Sequence, residues 1–221
     1  MTRTVRIWDL PTRLFHWVLV VCILGLLTTG SLGGNAMVWH FRFGYSVLSL
    51  LLFRLVWGFI GGHWSRFTTF LYSPGSVVSY FRGRRLPEHS VGHSPAGAGS
   101  VFAMLFLLVV QVGSGLFSDD DIAFAGPLSQ FASSTTIHLA TWYHGNIGRW
   151  ILIAMITLHV AAILFYLRKK KNNVLKPMLH GDKELAIAVQ PSRDDGKSRA
   201  TAAVVFALCV AGVAWAVERL T

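Results

Sequence analysis

The chain has 221 residues, of which 53% are hydrophobic and only 14% are charged, and its mean hydropathy is +0.52. This composition excludes an ordinary soluble domain and predicts an integral membrane protein. The formal net charge is +10, and the basic residues that cause it lie between the apolar runs. Because they flank the runs and do not form a groove, the sequence argues against a nucleic-acid-binding protein. The two cysteines, Cys22 and Cys209, lie inside apolar runs, so no disulfide framework is predicted.

Five apolar runs have close to the ~20 residues that a helix needs to cross a hydrocarbon core. They cover residues 14–29, 38–60, 98–117, 147–167 and 200–217. Because lipid offers no partner to a backbone polar group, each run is predicted to be a helix. The fold class that follows is an all-α integral membrane protein, a transmembrane four-helix bundle with a fifth C-terminal transmembrane helix. The predicted domains are a four-helix domain at 1–171, a cytoplasmic polar linker at 172–199 and the additional helix at 200–218.

The first two predicted helices each carry a histidine near one end. Helix one should begin near Leu10, because Asp9 suits an N-cap and Pro11 suits a first turn. His16 then lies in its second turn. Helix two opens at the other face of the membrane with His40, and a glycine one turn later leaves room for a flat ring system near the backbone.

The fourth predicted helix carries two histidines, His144 at its start and His159 inside it. Fifteen residues separate them, which corresponds to roughly 22 Å along a helix. The same spacing turns them about 60° around the helix axis, so both rings can face one side of a bundle. Ionisable rings inside a membrane helix are costly and indicate a functional site.

The connections between the runs differ sharply in charge. The N-terminus is basic, loop 61–97 carries Arg66, Arg82, Arg84 and Arg85, and segment 168–199 carries nine Lys or Arg against four acidic residues. The connections 30–37 and 118–143 contain no Lys or Arg, and the second contains Asp119, Asp120 and Asp121. The positive-inside rule therefore predicts a cytoplasmic N-terminus. Within loop 61–97, the aromatic stretch 67–81 is predicted to be a short interfacial helix, and segment 172–199 is predicted to be loosely ordered.

The four helix histidines form two pairs matched by depth. His16 and His159 fall toward the cytoplasmic side, whereas His40 and His144 fall toward the outside. Two neutral imidazoles from two helices are the axial ligands that a b-type haem needs inside a bundle. The sequence thus predicts two bis-histidine haems about 20 Å apart, with both axial positions of each iron filled.

Other polar residues are assigned around these pairs. Arg42, Arg54 and Arg149 lie deep enough to be predicted partners of haem propionates. His93 precedes helix three beside the inner pair and is predicted to bind a quinone carbonyl or exchange its proton near its ordinary pKa, or alternatively to cap the helix or meet a propionate. Four further histidines are predicted to be loop residues, namely His63, His89, His138 and His180.

Two alternative interpretations belong to other classes of protein. A histidine-bearing proton-coupled transporter or channel without haem would use the same histidines as proton relays. The sequence has neither midplane carboxylates nor a pair of helices broken by Gly or Pro, which such proteins favour. A di-metal membrane hydroxylase needs closely spaced histidine clusters, which the sequence does not contain.

The chain resembles the small bacterial di-haem cytochromes b of the cytochrome b561 group, which includes the b-type haem subunit of membrane-bound nickel–iron hydrogenases. The resemblance covers about residues 6–169. It rests on Arg13-Leu-Phe-His16-Trp17 leading to Thr28-Thr-Gly30, on His40 with Gly44, on Gly92-His93-Ser94-Pro95, and on His144 with His159. The fifth helix, Ser94 and the long acidic outer connection depart from the usual pattern.

This resemblance implies the protein's chemistry and surroundings. It implies a haem ligand set of His16, His40, His144 and His159, and electron transfer in a bacterial inner membrane. It also implies a quinone on one side, and on the other a periplasmic redox protein such as a cytochrome c or a hydrogenase-type subunit.

Overall fold

The computed structural model describes residues 2–84 and 86–220, so Arg85 of the basic loop lies outside the described residues. The elements in chain order are β1 Arg3–Arg6, α1 Leu10–Leu32, α2 Met37–Ile60, α3 Pro74–Phe81, α4 Pro95–Phe117, α5 Ser134–Trp142, α6 Arg149–Arg168, α7 Leu175–His180, β2 Asp182–Leu185 and α8 Gly196–Leu220. Among the described residues, five helical stretches are long and apolar enough to cross a membrane: Leu10–Leu32, Gly34–Ile60, Pro95–Phe117, Ser134–Arg168 and Gly196–Leu220. The prediction of an all-α, multi-pass membrane protein is confirmed.

The fourth span differs from its predicted bounds. It begins at Ser134, where the Ser133 side chain caps α5 by accepting a hydrogen bond from the Thr136 backbone at 3.2 Å. A six-residue π-helical turn, Tyr143–Gly148, joins α5 to α6. His144 therefore lies within the span and does not open it. His138 in α5 and His180 at the end of α7 are helical, although both were predicted to lie in loops.

The structure divides into two compact units. The first unit comprises residues up to His16, Arg54–Ala103 and His159–Val205. In it, β1 pairs with β2 in an antiparallel register that sets Arg3 opposite Leu185. A small core of Ile7, Val91 and Leu185 is buried beneath this pair. Because β1 and β2 are hydrogen-bonded, they must lie on the same side of a membrane, which requires an even number of crossings between them.

Segment 172–199 was predicted to be loosely ordered, and this prediction is wrong. Arg6 of β1 forms ion pairs with Asp182 and Asp194, both at 2.7 Å. Ser192 donates a hydrogen bond to the backbone oxygen of Ile7 at 2.6 Å. The physical reason is a short period-two alternation in this segment, whose apolar residues Leu185, Ile187 and Val189 all reach the core.

The predicted start of α1 is confirmed. Asp9 accepts a hydrogen bond from the Thr12 backbone at 2.8 Å, as an N-cap does. The interfacial stretch 67–81 contains a 3₁₀ turn at Phe67–Thr69 and the helix α3, whose N-cap is Ser73. Phe81 on α3 is 70% exposed, as an interfacial helix requires.

The second unit comprises Trp17–Phe53, Met104–Leu158 and the chain from Phe206 onward. Its interior is aliphatic and comes from α1, α2, α4 and α6, including Leu19, Val47, Leu108 and Leu152. Phe206 of α8 packs edge-on against Phe53 of α2, with ring centres 5.8 Å apart. The outward side chains of these helices are largely exposed apolar residues, as lipid contact favours.

Candidate functional site

The rings of His40 and His144 face each other in the second unit. Their centres are 6.1 Å apart and their planes are nearly perpendicular. His40 comes from the first turn of α2, and His144 comes from the π-helical turn before α6. The sequence predicted that these two side chains would meet, and the structure brings them together.

Hydrogen bonds fix the tautomer of both rings. Nδ1 of His40 lies 3.1 Å from the backbone oxygen of Leu26, and Nδ1 of His144 lies 2.9 Å from that of Gln111. A carbonyl oxygen only accepts, so each Nδ1 must carry the proton and donate it. Each Nε2 is therefore left with its lone pair, which is the form that binds a metal.

Glycines make space for these rings. A methyl group at Gly115 would lie 2.8 Å from Cε1 of His144, and one at Gly30 would lie 3.0 Å from Cε1 of His40. At Gly44, one turn after His40, an added methyl group would meet no atom of the described residues within 4 Å. Gly44 borders a cavity of about 270 Å³ that both histidines line. The cavity wall is otherwise mainly aliphatic and aromatic.

His16 and His159 form a second pair, in the first unit. Their ring centres are 6.5 Å apart and their planes are tilted by 52°. His16 lies in the second turn of α1 and His159 lies in the middle of α6. These two rings were also predicted to meet, and they do.

His93 and Arg54 lie close together in the first unit. The His93 ring packs between Trp8 and Phe70, with ring centres 4.7 Å and 4.5 Å away. Burial, together with the charge of Arg54, lowers the pKa of His93 to about 3. The ring is therefore neutral at physiological pH, and proton exchange near an ordinary histidine pKa, as expected from the sequence, is not supported.

The three arginines of the predicted site have different surroundings. Arg54 is only 4% exposed and lies 4.6 Å over the Phe67 ring, and its Nη1 is shielded from water without a hydrogen-bond partner among the described residues. Arg149 lines the cavity beside His40 and His144, and within the described chain its shielded Nε also lacks a partner. Arg42 is exposed, stacks on Trp39 at 4.8 Å and does not line this cavity.

These residues fit a haem held by two axial histidines at each pair. A metal–imidazole bond is about 2.0 Å long and the bonded nitrogen lies about 1.2 Å from the ring centre, so two imidazoles on opposite sides of one metal have centres about 6.4 Å apart. The observed 6.1 Å and 6.5 Å agree with that spacing. Ring contact alone also permits such distances. The fixed tautomers and the open face at Gly44 are the features that favour a metal-bound ring system at the pair of His40 and His144.

Several functional residues were not identified from the sequence. Gln111 and Ser114 of α4 contact His144, the latter with Oγ 3.2 Å from Nδ1. Gly30 was identified only as part of a motif, and the space that Gly115 leaves for the His144 ring was not predicted. No local pattern marks Gln111, because its importance depends on a π-helical turn 33 residues away.

A sequence model of the family described as prokaryotic cytochrome b561 matches residues 7–181. A probable Ni/Fe-hydrogenase B-type cytochrome subunit of Bradyrhizobium diazoefficiens is 23% identical over 219 residues, covering 82% of this chain and 86% of the relative.

Two further relatives carry related names. One, from Azotobacter chroococcum, is 28% identical over 194 residues and covers 71% of this chain and 78% of the relative. The probable Ni/Fe-hydrogenase 1 B-type cytochrome subunit of Escherichia coli is 22% identical over 212 residues, covering 79% of this chain and 88% of the relative. No solved structure matches the chain significantly.

Proposed function

The chain belongs to the prokaryotic cytochrome b561 family, and we propose that it carries electrons across a bacterial inner membrane through two bis-histidine b haems. Family membership makes it a haem-containing membrane protein of electron transfer. The proposal of two haems is carried by one observation, the two facing histidine pairs with ring centres 6.1 Å and 6.5 Å apart.

Each histidine pair would hold one haem. His40 and His144 would bind it through Nε2, the nitrogen that keeps its lone pair, and His16 with His159 would bind the other. When bound, haem supplies a one-electron iron couple, and two protein ligands leave no open position for dioxygen. The carbonyl oxygens of Leu26 and Gln111 keep the Nδ1 protons of the first pair in place, which raises the basicity of the ligand nitrogens.

Two arginines are proposed to neutralise haem propionates. Arg149 lines the cavity at His40 and His144, and Arg54 is buried in the same unit as His16 and His159. Each has a shielded nitrogen without a partner among the described residues, and a carboxylate is the anion that a guanidinium binds best. Arg42, which the sequence predicted to be a third propionate partner, is exposed and does not line the cavity, so it has no part in this proposal.

A quinone is proposed to exchange electrons near the pair of His16 and His159. His93 lies in the same compact unit as this pair, between Trp8 and Phe70. Because the ring is neutral, it contributes an N–H group or a lone pair to a quinone carbonyl or hydroxyl, and not a titrating charge.

The proposed orientation places the N-terminus in the cytoplasm. The four spans between β1 and β2 meet the requirement that both strands lie on one side of the membrane. The basic segments then face the cytoplasm, and the acidic connection 118–133 faces the periplasm. The relatives named as hydrogenase cytochrome subunits support a hydrogenase-type periplasmic partner, and a soluble cytochrome c is the alternative partner.

Haem analysis of single histidine variants tests the proposal. The wild-type protein should contain two low-spin, six-coordinate b haems per chain. His40→Ala should remove one of them and His159→Ala the other, with the remaining haem unchanged in its spectrum.

Two exposed histidines provide matched controls. His138→Ala and His180→Ala change the same residue type outside both pairs and should keep two haems. A wild-type protein without a Soret band would contradict haem binding and favour the transporter interpretation. A His40→Ala or His159→Ala variant that keeps both haems would show that the ligand is misassigned.

A further inference from the structure

We infer that Gln111 of α4 is the positioning residue that fixes the orientation of His144 and thereby tunes the haem of the pair of His40 and His144. This inference rests on the proposed function, since it concerns the haem at that pair. It assigns a role to a residue that binds neither iron nor substrate.

Gln111 holds His144 by two separate bonds. Its backbone oxygen accepts the Nδ1 proton of His144 at 2.9 Å. Its side-chain Nε2 donates to the backbone oxygen of His144 at 3.0 Å. Because a carbonyl oxygen only accepts, this second bond also fixes which end of the amide faces His144. One residue thus restrains both the ring and the backbone of the histidine.

The backbone of His144 needs such a restraint. It lies in the π-helical turn Tyr143–Gly148, and π-helical turns are rare and are found frequently at functional sites. A π turn inserts one residue relative to an α-helix, so its relaxation would rotate His144 away from its present direction. The Gln111 amide bonds to this turn from the neighbouring helix and favours the wider geometry.

Gly148 belongs to the same arrangement. A methyl group at this position would collide with Oε1 of Gln111. That oxygen is shielded from water and has no hydrogen-bond partner in the described part of the chain. An apolar residue of similar length would avoid the unpaired oxygen, so packing alone does not explain a glutamine here. The bond from Nε2 to His144 does explain it.

The orientation of His144 affects its ligand strength. A strong Nδ1–H bond to a carbonyl raises the electron donation of Nε2, which stabilises the ferric iron and lowers the midpoint potential. Weakening the restraint should lengthen that bond and let the ring rotate. The expected consequence is a higher potential and an altered low-spin signal for one haem only.

Gln111→Met is the first test, because methionine has the shape of glutamine without its N–H donor. Redox titration should show a higher midpoint potential for the haem bound by His40 and His144, with the other haem unchanged. Electron paramagnetic resonance should show a shifted low-spin g value for the same haem. Gln130→Met, which also removes an amide donor to backbone oxygens, is the matched control and should change neither signal.

Gly148→Ala tests the contact between Gln111 and the π-helical turn from the side of the turn. The added methyl group displaces the Gln111 amide and should shift the same haem in the same direction. Gly113→Ala adds a methyl group to α4 that meets no described atom within 4 Å, and it should leave both haems as in wild type.

The outcomes separate this inference from the proposed function. Selective loss of the one haem in Gln111→Met, with helical circular dichroism retained, would support the inference as strongly as a potential shift. If Gln111→Met does not fold, Gly148→Ala decides alone. Two haems with unchanged or equally shifted potentials would overturn the role of Gln111, whereas a wild-type protein without haem would overturn the proposed function itself.

Discussion

Asp9 and Trp57 meet in the interior of the first unit, where the indole Nε1 donates to both carboxylate oxygens of Asp9 at 3.3 Å. Neither residue is exposed at all. The same carboxylate accepts from the backbone of Gly62 and from Ser65 Oγ, both at 2.9 Å. One N-cap residue therefore joins the start of α1 to the end of α2 and the turn that follows it.

Asp9→Ala should strongly destabilise the protein. The substitution removes the cap of α1 and leaves several shielded donors without an acceptor, which costs about 3 kcal/mol. The apparent melting temperature in detergent, followed by circular dichroism, should fall by several degrees. Asp9→Asn keeps an acceptor oxygen, so its apparent melting temperature should fall less than that of Asp9→Ala. Asp195→Ala, which removes the simpler cap that binds the Ser198 backbone at 2.7 Å, provides the comparison. Equal losses for Asp9→Ala and Asp195→Ala would contradict the wider role of Asp9.

Gly44→Leu should prevent haem binding at the pair of His40 and His144. The side chain would extend into the cavity that both histidines line, where an added carbon meets no described atom within 4 Å. Haem content per chain should fall from two to one, and the spectrum of the remaining haem should be that of the other pair. Gly212→Leu on α8, also at an open position, should retain both haems. Full haem content in Gly44→Leu would place the ring system elsewhere.

The acidic connection should accelerate electron exchange with a basic soluble partner. Asp120 accepts hydrogen bonds from the backbones of Phe124, Ala123 and Ile122, which lower its pKa, so its charge persists in the folded loop. Asp119 accepts from the Asp121 backbone. Replacing all three aspartates by asparagine keeps acceptor oxygens and removes only charge.

This triple variant should exchange electrons about 10-fold more slowly with a basic cytochrome c at low ionic strength. Its rate should also depend less on added salt. Stopped-flow spectroscopy measures both quantities, and quinol-driven reduction should serve as the unchanged control. If the triple variant exchanged electrons at the wild-type rate at low salt, the three aspartates would not form the docking surface.

The pH dependence of stability should report on His93. Its folded pKa of about 3 lies below the ordinary histidine value of 6.5, so the unfolded chain binds a proton that the folded chain does not. The contribution of the neutral His93 ring to the free energy of unfolding is therefore fully present above pH 6.5, and it is lost as the pH falls toward 3. Between pH 6.5 and 5.0 this amounts to at most about 2 kcal/mol.

His93→Phe places an apolar ring between Trp8 and Phe70 and removes the titrating group. Its melting temperature should therefore fall less than that of the wild type when the pH is lowered from 7.5 to 5.0. Other titrating groups affect both proteins equally, so the difference isolates His93. Parallel pH profiles would mean that the ring also takes up a proton in the folded protein.

Thiol labelling should establish the orientation. Ile122, 90% exposed in the acidic connection, and the exposed Lys170 after α6 are suitable positions for single cysteines. In intact cells, a membrane-impermeant maleimide should label Ile122→Cys and should label Lys170→Cys only after permeabilisation. The native Cys22 and Cys209 lie within spans and should contribute little. The opposite labelling pattern would reverse the orientation.

The sequence was sufficient where the physics is local. Hydropathy over about 20 residues identified the five spans, and helical rise and rotation paired His16 with His159 and His40 with His144. It was insufficient where distant segments decide the structure. Nothing near Asp9 signals Trp57, and the charges of segment 172–199 concealed the short alternation of Leu185, Ile187 and Val189. The π-helical turn around His144 likewise depends on contacts from another helix.

The pairing of β1 with β2 also orders the events of synthesis. Arg6 and Asp182 are 176 positions apart, so the first strand leaves the ribosome long before its partner exists. Four helices must enter the bilayer before Asp182–Leu185 can reach β1. Until then the edge of β1 has no strand to pair with, and Arg6 has neither of its carboxylate partners, Asp182 and Asp194. Closure of this short ladder therefore marks the moment at which insertion of the four-helix region is complete, and a chain truncated before it presents an unprotected N-terminal segment to surveillance proteases.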